Sequence, residues 1–125
     1  MATIKSYSDL QQSKKLAEIL PIESADMHSE AKDIDGDMVF IVVSGLGDKT
    51  KSNYGSPVWS LAALFGVLPD NYIDVDDTIK HPSLMKTKDS RYMVIYSAFQ
   101  YTSLYNNPVD ACVAMIEKLN ELKIL

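Results

Sequence analysis

The sequence predicts an α+β fold in which three helices pack on a small, mostly antiparallel sheet, in the order α-β-β-α-β-β-α. Three observations predict it: an apolar stripe with helical spacing near the C-terminus, two β-branched runs, and turn residues or prolines between the segments. Of the 125 residues, 46% are hydrophobic and 23% charged. These globular proportions exclude a disordered chain and a coiled coil. We therefore expect a single domain over residues 1–125.

The first helix is predicted between Ser8 and Pro21. Ser8 and Gln11 have the spacing of a capping box, and either Ser8 or Asp9 can accept hydrogen bonds from the amides of the first turn. The apolar residues that follow form a loosely amphipathic run, and Pro21 ends it. A further short turn is expected over Glu23–Met27.

A β-hairpin is predicted next, because Asp35-Gly36 favours a tight two-residue turn. The run Met38–Val43 is apolar at every position, which is typical of a strand that is buried on both faces. We therefore expect Met38–Val43 to be central in its sheet, with Met27–Lys32 as its hairpin partner. Residues 44–55 contain three glycines and are expected to form a polar loop.

The second helix is predicted to begin with Ser56 as its N-cap and Pro57 at its first position. The segment Val58–Phe65 is apolar almost all round, so this helix is expected to be buried. Gly66 fits its C-terminal cap, and Pro69 prevents the helix from continuing.

Three segments follow before the last helix. Tyr72–Val75 is expected as a short edge strand, and Arg91–Ser97, rich in β-forming residues, as a clear strand. Loops are expected over residues 81–83 and 86–90. Tyr101–Asn106 is expected to form an edge strand or a loop.

The last helix is predicted to begin with Asn107 as its N-cap and Pro108 at its first position. Its apolar residues recur at helical spacing and predict a face that packs in the core. They are Val109, Cys112, Val113, Ile116 and Leu119, with Met115 and Leu122 widening the stripe.

The net charge of −5 and the pI near 4.8 argue against a basic footprint for nucleic acid. Eleven of the twelve basic residues are lysines, and Arg91 is the exception. We expect no direct nucleic-acid binding, because arginine is the preferred fork for phosphates and base edges. We expect no membrane span either, because the apolar runs are too short. A single cysteine and the lack of a signal peptide predict a cytoplasmic location.

The sequence motifs for nucleotide binding and for nucleophilic catalysis are incomplete. Gly45 and Gly47 follow a strand, but the dinucleotide fingerprint requires a third glycine where Thr50 stands. Cys112 lies on the apolar stripe of the last helix, and nothing brings a nucleophile to His28 or His81. The sequence therefore predicts no catalytic residue, no metal site and no cofactor.

Two groups of residues remain as candidates for binding. Asp74, Asp76 and Asp77 form an acidic segment without a basic residue inside it, and such a surface attracts a basic partner. Tyr101 and Tyr105 belong to a surplus of tyrosines, which give a large amphipathic contact area at low entropy cost.

Three blocks of the sequence resemble a family of small uncharacterised proteins from gut anaerobic bacteria and from their phages and mobile elements. The blocks run from Tyr7 to Leu16 and on to Met27, from Pro57 to Leu64, and from Asn107 to Val113, in the same order as in that family. The family has a cysteine at the position that Val58 occupies here. The resemblance implies a bacterial or phage setting and an accessory gene product, and it brings no known activity.

The leading expectation is a non-enzymatic, intracellular protein-binding module that serves a mobile element or a phage. One alternative is a small metal-dependent hydrolase or nucleotide-metabolising enzyme that uses the acids at 70–77. Another is an acidic mimic of nucleic acid, whose carboxylates occupy the groove of a basic protein. The sequence leaves the partner, the oligomeric state and the strand order open.

Overall fold

The computed structural model describes residues 5–125. Within them, three α-helices and eight β-strands follow one another along the chain. The helices are α1 (Leu10–Ile19), α2 (Leu61–Gly66) and α3 (Pro108–Glu121). The strands are β1 (Met27–Ile34), β2 (Asp37–Ser44), β3 (Tyr54–Val58), β4 (Tyr72–Ile73), β5 (Ile79–Lys80), β6 (Ser83–Lys86), β7 (Tyr92–Ser97) and β8 (Gln100–Tyr101).

This architecture confirms the predicted α+β class and the order helix, strands, helix, strands, helix. The strands are divided among three small sheets, with the orders β2-β1-β3, β4-β5 and β6-β7-β8. Every pairing in them is antiparallel. The short turn expected over Glu23–Met27 is a single 3-10 turn over Ile22–Ser24.

The hydrophobic core lies between α1, α2, α3 and β7. The apolar stripe of α3 is buried as predicted, from Val109 through Cys112 to Leu119. Leu122 is the exception and is 53% exposed, because it is the C-cap at which the helix ends. Trp59 is fully buried, and its indole Nε1 donates a hydrogen bond of 2.9 Å to Oγ of Ser24. No core residue in the described part of the chain belongs to β1 or β2.

The predicted start of α3 is confirmed. Oδ1 of Asn107 accepts a hydrogen bond of 2.8 Å from the amide of Asp110, and Pro108 occupies the first turn. Asp110 also joins the helices to each other, because its Oδ1 accepts from Nζ of Lys5 at 3.0 Å and from Nε2 of Gln12 at 2.7 Å. These bonds fix the N-terminal end of α3 against α1.

The N-cap of α1 is Asp9, and Gln12 completes the capping box. The alternative cap Ser8, with its partner Gln11, is therefore wrong by one residue. Ser8 is buried instead, where its Oγ lies 2.8 Å from Oγ of Ser13 and accepts from the amide of Trp59 at 3.1 Å. The sequence pattern assigned the Ser8 hydroxyl to the N-terminal end of α1, but this hydroxyl instead accepts the hydrogen bond from Trp59.

The β1–β2 hairpin has the predicted turn and the predicted partner strand. Asp35 and Gly36 both have positive φ, 52° and 86°, as a two-residue turn of type I′ requires. The register then runs without a shift from Ile34 opposite Asp37 to Met27 opposite Ser44.

The expected position of Met38–Val43 in its sheet is wrong. The strand lies at the edge, because β1 stands between it and β3. Met38 is 68% exposed and Phe40 is 55% exposed. The physical reason is that, among the described residues, β3 and not β2 is the strand of this sheet that packs closely against α1. The outer strand is therefore exposed over residues 37–40 and only half-buried over residues 41–43. An apolar run shows what could be buried, and not whether a layer exists to bury it.

The expected helix start at Ser56 is also wrong. Ser56 and Pro57 lie in β3, which pairs with β1 through His28 opposite Pro57. Proline is accepted there because β3 is the other edge strand of the sheet. The helix begins later, where Oγ of Ser60 accepts a hydrogen bond of 3.2 Å from the amide of Ala63.

The C-terminal strands match the sequence in part. Tyr92–Ser97 forms the predicted strand. Ser83 and Lys86, which were both expected in loops, are instead the ends of β6, which pairs beside it. The edge strand expected over Tyr72–Val75 is confined to Tyr72–Ile73. Over residues 101–106, Tyr101 ends β8 and Tyr105 forms an isolated bridge with Tyr92.

Candidate functional site

The three predicted acidic residues lie in the segment between β4 and β5. The amide of Asp74 donates to the carbonyl of Thr78 at 2.9 Å, and the amide of Asp77 donates to the carbonyl of Asp74 at 3.0 Å. The carboxylate of Asp76 accepts from the hydroxyl and the amide of Thr78 at 2.5 and 3.1 Å, and these hydrogen bonds lower its pKa. Many of the hydrogen bonds of the acidic segment are therefore made within its own turn.

Asp74 differs from its neighbours because it is buried. Its Oδ1 accepts from the amide of Val75 at 2.8 Å, while Oδ2 has no hydrogen-bond partner among the described atoms. Residues 5–125 contain no group of three or more His, Cys, Asp or Glu side chains that could hold a metal ion. The geometry therefore supplies no donor set around this carboxylate.

The two predicted tyrosines come together beside α3. Tyr101 and Tyr105 line a shallow groove of about 180 Å³ with Lys118, and none of the three acids lines it. Nζ of Lys118 donates to the carbonyl of Tyr101 at 2.7 Å and lies 5.6 Å from the centre of its ring. Tyr105 is half-buried and exchanges backbone hydrogen bonds of 2.7 and 2.8 Å with Tyr92. The groove is small, and its one cation is already engaged with Tyr101.

Cys112 does not contribute a nucleophile to a surface. Its side chain is fully buried in the core, and burial raises the pKa of the thiol to about 12. A thiol in this environment stays protonated near neutral pH and is inert.

A buried histidine lies at the base of the β1–β2 hairpin. Nδ1 of His28 donates to the carbonyl of Gly45 at 2.7 Å, and its Nε2 lies 2.6 Å from Oε2 of Glu30. The ring of Tyr54 stacks on the imidazole, with 5.6 Å between the ring centres. The hydrogen bond to Gly45 and the bond to Glu30 raise the pKa of His28. Both nitrogens are engaged with acceptors, an arrangement that favours the charged imidazolium.

The loop after β2 is shaped around this imidazole. Gly45 and Gly47 have positive φ, 88° and 67°. A Cβ at Gly47 would lie 2.5 Å from Nε2 of His28, whereas a Cβ at Gly45 would meet nothing within 4 Å. The two glycines that resemble a nucleotide-binding pattern therefore serve to close the chain over His28.

The hairpin itself exposes apolar side chains on both faces. Met38 and Phe40 lie on one face, because side chains alternate along a strand. Ile34 and Val39 lie on the other, where they are 50% and 37% exposed. Exposed apolar residues that are contiguous mark interaction sites more often than isolated ones do.

This surface was missed from the sequence, although a signal was available. The partner strand β1 carries polar residues on both of its faces, including Glu30 and Lys32 on one and Ser29 and Asp33 on the other. Antiparallel sheets with polar residues on a face usually leave that face to solvent, so a polar partner strand argues against an apolar layer on both sides of β2. The polar partner thus distinguishes an exposed strand from a central one.

No protein-family model matches this chain, and no curated protein or solved structure matches it either. Across residues 5–125, no helix combines the length and the apolar character that crossing a bilayer requires.

Proposed function

We propose that this protein is a non-enzymatic protein-binding module whose contact surface is the β1–β2 hairpin. The observation that carries the proposal is the exposure of Met38 and Phe40 on a strand that lies outside the core. Side chains of this kind lose water on contact with a partner, at about 25 cal/mol for each Å² of apolar surface removed. The hairpin therefore offers the interaction energy that a binding surface needs.

The hairpin is also held at its base by hydrogen bonds to neighbouring elements, so its exposed residues are ordered before a partner binds. Oδ1 of Asp26 accepts from the amide of Ser60 at 2.9 Å, and its Oδ2 accepts from the hydroxyl of Ser60 at 2.5 Å. Oγ of Ser29 accepts from the amide of Ser56 at 2.9 Å. These bonds tie the start of β1 to β3 and to the first turn of α2, so the exposed apolar residues of β2 extend from an ordered base. A preformed surface loses less entropy when it binds.

The setting we propose is intracellular, in the cytoplasm of a bacterium, where the protein would be an accessory factor of a mobile element or a phage. The resemblance of the three sequence blocks to the family of gut anaerobes and their phages supports this setting. The single cysteine, buried and unpaired, suits a reducing compartment.

The acidic segment is a weaker basis for function. The hydrolase alternative requires carboxylates free to hold a metal, but Asp76 is committed to Thr78. A nucleic-acid mimic requires several exposed carboxylates spaced like phosphates, but Asp74 is buried. The segment also exposes the apolar side chains of Ile73 and Val75, which makes it the natural comparison surface for the hairpin.

A capture experiment with matched variants tests the proposal. Immobilised wild-type protein, the variant Met38→Ser with Phe40→Ser, and the variant Ile73→Ser with Val75→Ser are each exposed to a native bacterial lysate. The last two variants remove a pair of exposed apolar side chains from different surfaces. We expect bound protein on the wild type and on the Ile73/Val75 variant, and its loss from the Met38/Phe40 variant.

Two outcomes would overturn the proposal. Capture that is lost from the Ile73/Val75 variant, and kept by the Met38/Phe40 variant, would move the binding surface to the acidic segment. Recovery of nothing above background by any of the three, with a clean monomer in solution, would remove the protein-binding function itself.

A further inference from the structure

Residues 45–53, the crossing loop, connect β2 to β3 over one face of β1. In the sheet order β2-β1-β3 the two connected strands lie on opposite sides of β1, so the connection has to pass across that strand. It passes over the face that carries His28, because the backbone of Gly47 lies against the imidazole, where an added Cβ would be 2.5 Å from Nε2. The crossing loop therefore covers His28.

Few hydrogen bonds attach the crossing loop to the rest of the protein. At its first residue the amide of Gly45 donates to the carbonyl of Asp26 at 2.8 Å. At its last residue the carbonyl of Asn53 accepts from the amide of Ala31 at 2.8 Å. Between these ends, within the described chain, residues 46–52 form hydrogen bonds only with one another and with the first residue of β3.

His28 supplies a further contact between the sheet and the crossing loop. Its Nδ1 donates to the carbonyl of Gly45 at 2.7 Å, and its ring packs against the backbone of Gly47. The ring of Tyr54 stacks on the imidazole, with an angle of 7° between the two ring planes. The position of the crossing loop thus depends on the hydrogen bonds that the imidazole is able to make.

The two acceptors around the imidazole require two N–H donors. Nδ1 faces the carbonyl of Gly45, and Nε2 lies 2.6 Å from Oε2 of Glu30. Neither the carbonyl nor the carboxylate has a hydrogen to donate. An imidazolium carries two N–H groups, whereas a neutral imidazole carries one. The closed arrangement is therefore complete only while His28 is charged, and the loss of one proton leaves one acceptor without a donor.

The proton that remains after deprotonation favours Glu30 over Gly45. A hydrogen bond to an ionised carboxylate is about twice as strong as one to a neutral carbonyl. The neutral ring therefore keeps its N–H at Nε2 and turns a lone pair at Nδ1 toward the carbonyl of Gly45. Two acceptors in contact repel each other, so the crossing loop loses its hydrogen bond to His28.

The charge that acts on the imidazole is the carboxylate of Glu30 on β1. From β3 the ring is faced by Tyr54, whose phenol stays neutral because burial raises its pKa. From β2 it is faced by Val43, which has no charge. The other charged groups in this region are exposed or engaged elsewhere: Lys32 on β1, Asp48, Lys49 and Lys51 in the crossing loop, and Asp26, which accepts from Ser60.

We propose that the crossing loop is a proton-controlled cover, which closes over His28 while the imidazole is charged and is released when the imidazole loses a proton to solvent. Release uncovers the rings of His28 and Tyr54 at the base of the hairpin, and reprotonation closes the loop again. The raised pKa of His28 places the release above pH 6.5. This inference does not depend on whether the hairpin binds a partner.

Two measurements across a pH series test the release in the wild-type protein. Nuclear Overhauser effects between the imidazole and Gly47 should be present while His28 is charged and should disappear at the pH where His28 itself titrates. Trypsin cleaves the crossing loop at Lys49 and Lys51, and Lys88, exposed in the turn between β6 and β7, is the internal standard for the enzyme's own pH dependence. The ratio of loop cleavage to Lys88 cleavage should rise by about tenfold or more from pH 6 to pH 9, because a hydrogen bond from a charged donor is lost.

The variant Glu30→Gln distinguishes proton control from simple packing. The amide of the new glutamine can donate to Nε2, so a neutral imidazole keeps its N–H at Nδ1 for the carbonyl of Gly45. The crossing loop of this variant should stay closed at pH 9, with a cleavage ratio near its value at pH 6. Glu18→Gln is the matched control, because it makes the same charge change at an exposed position of α1, and it should open like the wild type.

Three results would overturn the inference. The first is a wild-type crossing loop that stays closed at every pH, and the second is a Glu30→Gln loop that opens with the wild-type pH dependence. The third is an opening whose midpoint differs from the titration of His28, since another group would then control the loop. Circular dichroism should show the fold intact at pH 9, and unfolding of the whole domain there would equally contradict a local release.

Discussion

The centre formed by α3 and β7 and the hairpin formed by β1 and β2 use apolar residues in opposite ways. In α3 the apolar side chains recur at helical spacing and are buried, as at Ile116, which has no exposed surface. In β2 they are continuous, and the half of the strand next to the turn is exposed, with Met38 68% exposed. The difference teaches that periodicity identifies a face that a neighbouring layer covers, whereas a continuous apolar run does not identify its neighbours.

The largest expected effect is the contrast in stability between these two regions. Ile116→Ala leaves a cavity in the core and should lower the free energy of unfolding by about 2–5 kcal/mol. Met38→Ala removes a side chain that is mostly in water and should change it by less than about 0.5 kcal/mol. Urea denaturation of the two variants measures both values at a protein concentration low enough for a monomer. Equal losses would show that the hairpin is part of the core.

A smaller effect is expected at the base of the hairpin. Gly45→Ala and Gly47→Ala both force a side chain into positive φ, which costs about 1–2 kcal/mol. Gly47→Ala should cost about 1–3 kcal/mol more, because its Cβ would press on the imidazole of His28. Thermal or urea unfolding of the pair isolates that contact, since the cost of positive φ is common to both. Equal destabilisation of the two variants would show that the loop is not packed on His28.

The smallest effect is a pH dependence that belongs to the hairpin and not to the centre. Hydrogen bonds to the carbonyl of Gly45 and to Glu30 raise the pKa of His28 above its ordinary value of 6.5. The stabilisation that follows is fully present below pH 6.5 and is lost as the pH rises through the raised pKa of the folded state. The difference in the free energy of unfolding between the wild-type protein and His28→Gln should therefore favour the wild type more at pH 5.5 than at pH 8.

Two measurements check this prediction. An NMR titration of His28 should give a pKa above 6.5, and Glu30→Gln should lower it while the bond to Gly45 remains. A wild-type protein whose advantage over His28→Gln grows with rising pH would reverse the sign of the account.

The elements that could be predicted are those whose local signals agree with their tertiary environment. Asn107 caps α3 and Pro108 lies in its first turn, as the sequence pattern predicts. Asp35-Gly36 likewise forms the expected turn. Ser56 and Pro57 fit a helix start equally well, but pairing with β1 takes them into a strand. A serine can cap only a helix that begins directly after it. The pairing of β3 with β1 decides that this helix follows Ser60 and not Ser56.

The candidate site was harder to predict than the fold. Tyr101 and Tyr105 do share a groove, and Asp76 and Asp77 do lie in one turn, but whether these residues bind a partner stays a prediction. The exposed face of β2 could not be identified from its own residues, because exposure depends on which strand contacts α1. That strand is β3, which packs against α1, and the hydrogen bonds between Trp59, just after β3, and Ser8, just before α1, hold the two together.

The most direct test of the account is amide hydrogen exchange in β2, measured at a concentration where the protein is monomeric. The amides of Met38, Phe40 and Val42 should exchange much faster than those of Val39, Ile41 and Val43, which donate to β1. Uniform protection of all six amides in the dilute monomer would show that β2 is an interior strand, and would contradict both the exposed hairpin and the partner that it is proposed to bind.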